Sequence, residues 1–112
     1  MSIENSEMKN YSFLNEMYKD GYFPNFLVDK GKDILVRLCE SIESNKPESL
    51  ESLYELTKVA TEEFNSLEEE FGQNDSEIET VARESIADDF YNISKAYGFN
   101  ADIEELISAR YW

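Results

Sequence analysis

The sequence predicts an all-α fold: a compact single-domain bundle of four to five helices spanning residues 1–112. Three observations carry this. Apolar residues recur at a spacing near 3.6 along the whole chain, the signature of amphipathic helices. No stretch of strict apolar–polar alternation stands between turn signals, so nothing reads as a strand. At 112 residues the chain has the length of one domain with one core, able to bury about two-thirds of its unfolded surface without staples.

The first helix is expected over about Ser6–Asp20, with Met8, Tyr11, Leu14 and Tyr18 on one stripe. Gly21-Tyr22-Phe23-Pro24 stops it, since Gly and Pro are strong local breakers. A second helix fits Asn25–Ser44 and aligns Leu27, Ile34, Leu35, Leu38 and Ile42. Gly31 interrupts it at a cost of about 1 kcal/mol relative to Ala; it either permits close packing or divides a short turn from the main helix. Pro47 suits the first position of a third helix, where its missing N–H costs nothing. Leu53, Leu56, Ala60, Phe64, Leu67 and Phe71 then form its stripe.

Gly72-Gln73-Asn74-Asp75 ends the third helix, and Asn74 with Glu77 has the spacing of a capping box for the fourth. Ile78, Ala82, Ile86, Phe90, Ile93 and Tyr97 face inward on that helix, and Gly98 is its expected left-handed C-cap. Asp102 with Glu105 opens a short last helix through Ile103, Leu106 and Ile107. Tyr111-Trp112 should pack back onto the bundle, because a free aromatic tail forgoes burial.

Charge is unevenly spread. Acids outnumber bases 25 to 10, a formal charge of −15. Residues 1–46 hold eight acids and six bases, whereas residues 47–112 hold seventeen acids and four bases. This balance excludes a nucleic-acid binder resting on a basic surface and disfavours adhesion to anionic membranes. The N-terminal residues lack the basic and apolar regions of a secretory signal, no apolar run has the length of a membrane span, and a lone Cys39 suits a reducing compartment. The expected location is the cytoplasm.

Catalytic chemistry finds little footing. With no His, His triads, imidazole bases and His-containing metal sites are excluded, and one cysteine allows neither an internal disulfide nor a multi-Cys zinc site. Cys39 lies among Leu35, Leu38 and Ile42 and reads as a small buried hydrophobe. No nucleophile elbow, phosphate-binding glycine loop or dinucleotide fingerprint occurs. All-α nucleotide pyrophosphatases use Glu-Glu-x-x-Glu on one helix and Glu-x-x-Asp on the next. Here Ser66 and Gln73 stand where Glu62-Glu63 and Glu69-Glu70 would need the third acid, and Glu84 and Asp88 are four apart. A metal-dependent nucleotide hydrolase is therefore the second reading, and the expectation is a non-enzyme without metal or cofactor.

The first reading rests on Glu62, Glu63, Glu68, Glu69 and Glu70, clustered on the third helix, with Glu48, Glu51 and Glu55 extending the ridge and Glu77, Glu84, Asp88 and Asp89 adding surface charge from the fourth. Like charges this close cost a few tenths of a kcal/mol per pair. Such a face either keeps the chain soluble or is retained for a cationic partner. The second case describes an inhibitor or immunity-type protein that masks a basic nuclease or nucleic-acid-binding protein, without touching nucleic acid or membrane itself. Tyr22 and Phe23, with Phe26 nearby, either cap the bundle or supply its aromatic anchors. A regulatory or scaffold bundle whose acidity serves only solubility, dimerising through an apolar helix face, is the third.

Taken whole, Lys9-Asn10-Tyr11-Ser12-Phe13-Leu14, the Tyr22-Phe23-Pro24 turn with Phe26-Leu27-Val28-Asp29-Lys30-Gly31, and the Glu104-Glu105-Leu106-Ile107 ending resemble a family of short acidic bacterial proteins of unassigned function. The resemblance spans nearly the full length. It implies a bacterial, single-domain, helical protein and transfers no site residues.

Overall fold

The computed structural model describes residues 3–112, which form six helices: α1 (Ser6–Lys9), α2 (Asn15–Lys19), α3 (Asn25–Asn45), α4 (Leu50–Gln73), α5 (Thr80–Ala96) and α6 (Ile103–Leu106). No strand occurs among the described residues, and the fold is all-α. The long helices α3 and α4 run antiparallel and form the main packed pair, while α5 lies against α2, α3 and α6. Their stripes meet in one core that includes Leu27, Leu35, Cys39, Leu53, Phe64, Phe71, Ile86 and Phe90.

Gly31 does not divide α3. It is the point of closest approach: a Cβ there would stand 2.8 Å from Leu14 Cδ1 and 3.2 Å from Phe64 Cε1. The missing side chain lets the segment before α2 lie directly on α3.

The single first helix expected over Ser6–Asp20 is instead two short helices, broken at residues 10–14. Leu14 takes φ 53° in the left-handed region, which costs an L-residue about 1–2 kcal/mol. Complete burial of the Leu14 side chain and a hydrogen bond from its N–H to the Asp89 carboxylate at 2.7 Å offset that cost. Asn5, rather than a residue of the helix itself, caps α1 by accepting the Glu7 and Met8 N–H groups.

The third predicted helix starts later than Pro47. Ser49 accepts the Ser52 N–H and Ser52 accepts the Ser49 N–H, a capping box that satisfies two end donors at once. Pro47 has no side chain able to do this. At the other end, Asn74 closes α4 and does not open α5. Asp75 takes φ 58°, Ser76 donates to Phe71 O at 2.9 Å and Asp75 to Gly72 O at 3.3 Å. This is a Schellman closure with Asp where Gly is usual, so the left-handed residue is Asp75 and not Gly72.

Gly98 behaves as expected, with φ 87° and a Schellman pair from Phe99 N–H to Ser94 O and Gly98 N–H to Lys95 O. Asp102 caps α6 through the Glu104 N–H, and α6 ends after one turn. Trp112 returns to the core against Phe64, with ring centroids 6.1 Å apart, whereas Tyr111 stays exposed. Asn65 fixes this return: its amide donates to Ala109 O and accepts the Tyr111 N–H.

Cys39 is fully buried. Burial, with the Glu43 and Glu40 carboxylates adding, pushes its thiol up to about 12 against an opposing hydrogen bond involving Tyr97. No helix among the described residues is long and apolar enough to cross a membrane.

Candidate functional site

The glutamates of α4 fall on two rows. Residues 55, 62 and 69 are seven apart, so they stand nearly above one another at steps of about 10.5 Å along the helix. All three are exposed, and none pairs with a cation among the described residues. Lys58 and Val59, the latter 57% exposed, share this outer surface.

Glu63 and Glu70 form the neighbouring row, turned toward α3. Glu70 pairs with Lys30 at 2.5 Å and Glu63 with Arg37 at 2.7 Å. The cations are also seven apart, so the two pairs repeat one antiparallel register. Exposed pairs of this kind contribute about 0–1 kcal/mol each, but they neutralise this row locally. A groove of about 450 Å³ lies between the helices, edged by these four side chains with Ile34 and Leu67 among its lining. Glu68 is occupied differently: it accepts the Ile78 N–H at 2.7 Å, holding the connection between α4 and α5. Of the five clustered glutamates, Glu62 and Glu69 therefore stand outward and outside any ion pair among the described residues.

Phe23 is not an exposed anchor. It is 2% exposed and edge-on to Phe71, with centroids 6.2 Å apart, because the Pro24 turn folds it under the start of α3. Tyr22 is 43% exposed and lies edge-on over Phe23, while Phe26 is 54% exposed. The aromatic surface at this end of the bundle is thus Tyr22 and Phe26.

Asp89, read from the sequence as surface charge, is 5% exposed. The signal was its position: three after Ile86 and four before Ile93, it falls on the inward stripe of α5. The Tyr11 hydroxyl donates to it at 2.6 Å and the Leu14 N–H at 2.7 Å. Burial pushes this carboxyl up to about 6, against those two hydrogen bonds and with Asp88 adding to the rise. Burial and the bond to Asp89 push Tyr11 up to about 12 in turn.

A second carboxylate, Glu43, accepts the Tyr97 hydroxyl and the Glu4 and Asn5 N–H groups. Desolvation opposes its charged form, but the hydrogen bonds prevail and hold it below the usual carboxylate range. Among the described residues no group of three or more Asp, Glu or Cys side chains is placed to hold a metal ion.

The family described as "Family of unknown function (DUF5713)" matches residues 7–112. The chain belongs to this family. Its span takes in the α4 glutamate rows, the Asp89 cluster and the returning Trp112. No curated protein and no solved structure matches the chain.

Proposed function

We propose that the protein is a non-catalytic binding protein that uses the outer face of α4 to occupy a basic surface on a protein partner, as an inhibitor or immunity-type protein does with a nuclease or another nucleic-acid-binding protein. The observation that carries this reading is the division of the α4 acids. Glu63, Glu68 and Glu70 are occupied within the chain, whereas Glu55, Glu62 and Glu69 form an exposed row that makes no ion pair among the described residues, with Lys58 on the same surface. A row of like charges at two-turn spacing is complementary to a cationic segment lying along the helix, and it would speed association in a salt-dependent way. Exposed Val59 on the same face, and Tyr22 and Phe26 at one end of the bundle, offer apolar contacts of the kind that slow dissociation.

The metal-dependent hydrolase reading is supported by no convergence of carboxylates among the described residues. The test is a tagged capture from the native host at low and moderate salt, beside a Glu62→Lys/Glu69→Lys variant. The captured protein is then purified and titrated. A basic partner whose affinity falls with salt, and falls again in the variant while the variant's Tm is unchanged or higher, supports the reading. Equal affinity for both proteins overturns the assignment of this face.

A further inference from the structure

A separate cavity of about 180 Å³ opens between the α1–α2 connection and α5. Its lining includes two buried polar residues, Asp89, 5% exposed, and Ser85, 7% exposed. Exposed Glu16 and Asp88 stand at its rim, with Asn92 beside them.

Several acceptors in this cavity are only partly satisfied. Each Asp89 oxygen accepts one bond, from Tyr11 or from Leu14, and a carboxylate oxygen has room for a second. The Tyr11 hydroxyl donates its one hydrogen bond to Asp89 and accepts from Asn92 Nδ2 at 3.0 Å. That leaves the Asn92 carbonyl as an open acceptor. Ser85, though nine-tenths buried, makes no side-chain hydrogen bond among the described residues. Glu16 has Lys19 only at 4.0 Å, one exposed turn away, and no cation pairs with Asp88 or Asp89 among the described residues. The lining brings three carboxylates, Glu16, Asp88 and Asp89, together with the hydroxyls of Ser12 and Ser85 and the amides of Asn15 and Asn92, and it holds no cationic side chain.

We propose that this cavity binds a primary ammonium group, held by the Asp89 carboxylate and Ser85 hydroxyl within and by Asp88 and Glu16 at the rim. An alkylammonium carries three N–H donors and one positive charge, which complements the three carboxylates and the open Ser85 and Asn92 oxygens of this lining. A planar guanidinium asks for paired acceptors in one plane, whereas an ammonium can turn its three N–H groups toward acceptors arriving separately from α5 and from Glu16 of α2. A divalent ion lacks the convergent carboxylates it needs. The volume suits a short chain, since a cavity of roughly 150 Å³ accommodates a molecule the size of benzene. The raised Asp89 carboxyl fits the same picture of a buried charge awaiting a counter-charge. A free alkylamine and a lysine side chain present the same group.

The experiment is an NMR titration of ¹⁵N-labelled protein with 1-butylammonium and, separately, with Nα-acetyl-lysine N-methylamide. Tetramethylammonium, which has the charge but no N–H donor, serves as the control. Saturable millimolar binding is expected, with shifts at Ser85, Asp88, Asp89 and the Asn92 side-chain amide, and with Asp89 titrating at lower pH when the amine is bound. Removing one hydrogen bond to a charged group should weaken binding about tenfold, so Ser85→Ala and Asp88→Asn each lose affinity and Asp89→Asn loses more. The two single-site rim and floor variants keep the test valid if Asp89→Asn fails to fold. Binding of the lysine derivative names a peptide-borne ammonium, and binding of butylammonium alone names a free amine. No saturable shift with either amine, equal shifts with tetramethylammonium, or unchanged affinity in Ser85→Ala and Asp88→Asn overturns the proposal.

Discussion

Asp89 and Leu14 are 75 residues apart in sequence, yet the Asp89 carboxylate accepts the Leu14 N–H at 2.7 Å. Leu14 is the residue that turns left-handed between α1 and α2. One buried acid on α5 thus helps to hold, with the burial of Leu14, the turn that makes the N-terminal segment two short helices and not one. The same group governs how stability responds to pH.

Folded Asp89 titrates at about 6, above the ordinary 3.8, so between those values the folded state holds a proton that the unfolded state has lost. Stability then falls as pH rises through this window, by roughly 2–3 kcal/mol from this group. Glu43 works in the opposite sense and elsewhere: its carboxyl is held below 4.5, so its contribution is present above that value and lost only in stronger acid. The wild type should therefore melt at a higher temperature at pH 5 than at pH 7.5. In Asp89→Asn the difference between those two melting temperatures should shrink. An undiminished difference in the variant would assign the slope to general charge repulsion.

Gly31→Ala should destabilise. The added Cβ meets Leu14 Cδ1 at 2.8 Å and Phe64 Cε1 at 3.2 Å, and both side chains are buried and enclosed. Overpacking costs about 1–3 kcal/mol, and the better helix propensity of Ala returns about 1 kcal/mol. A net loss of about 1 kcal/mol is expected in urea unfolding, and a net gain would mean that Leu14 has room to move.

Asp75→Gly should stabilise. Asp75 closes α4 at φ 58°, where Gly carries no Cβ penalty. The left-handed cost of about 1–2 kcal/mol is partly offset by the greater freedom of Gly in the unfolded chain, leaving a gain of about 0.5–1 kcal/mol. Thermal melts of the two proteins at one pH measure it.

Asn65→Ala should release the C-terminal return. Two hydrogen bonds, to Ala109 and from Tyr111, are lost together, at a cost of about 2 kcal/mol. Trp112 is the single tryptophan, so its emission should shift to the red in the variant. An unshifted spectrum would show that contact with Phe64 alone holds the indole.

The long helices were legible because their apolar stripes run for four turns or more, and Gly98 was legible because a left-handed cap favours Gly. What escaped were features whose cause lies far away in the chain. The break before α2 depends on Asp89, and the late start of α5 depends on Glu68 taking the Ile78 N–H ten residues earlier. Local propensity sees neither. In the candidate site, the residue types and spacing identified the acidic ridge, but which glutamates stay unpaired depends on Lys30 and Arg37 arriving from α3. Asp89 was misread because its charge outweighed its position on the stripe. Tyr22 and Phe23 stayed open between capping the bundle and anchoring a partner because turn residues carry no periodicity that says which way they point; the Pro24 turn buries Phe23 and leaves Tyr22 half exposed.

The hydrogen bonds of the N-terminal segment have an implication for the order of assembly. Asn5 donates to Ala96 across 91 residues, and Tyr11 and Leu14 reach Asp89 across 78 and 75. The α3–α4 hairpin, by contrast, closes over a connection of four residues. Loop closure must precede the contacts that reward it, so the hairpin is the early-forming unit. Residues 3–14 leave the ribosome ahead of α5 and, although α3 offers them Glu43 and Gly31, their bonds to Asp89 and Ala96 wait until α5 exists. The N-terminal segment is therefore completed late, after the α3–α4 hairpin that it covers.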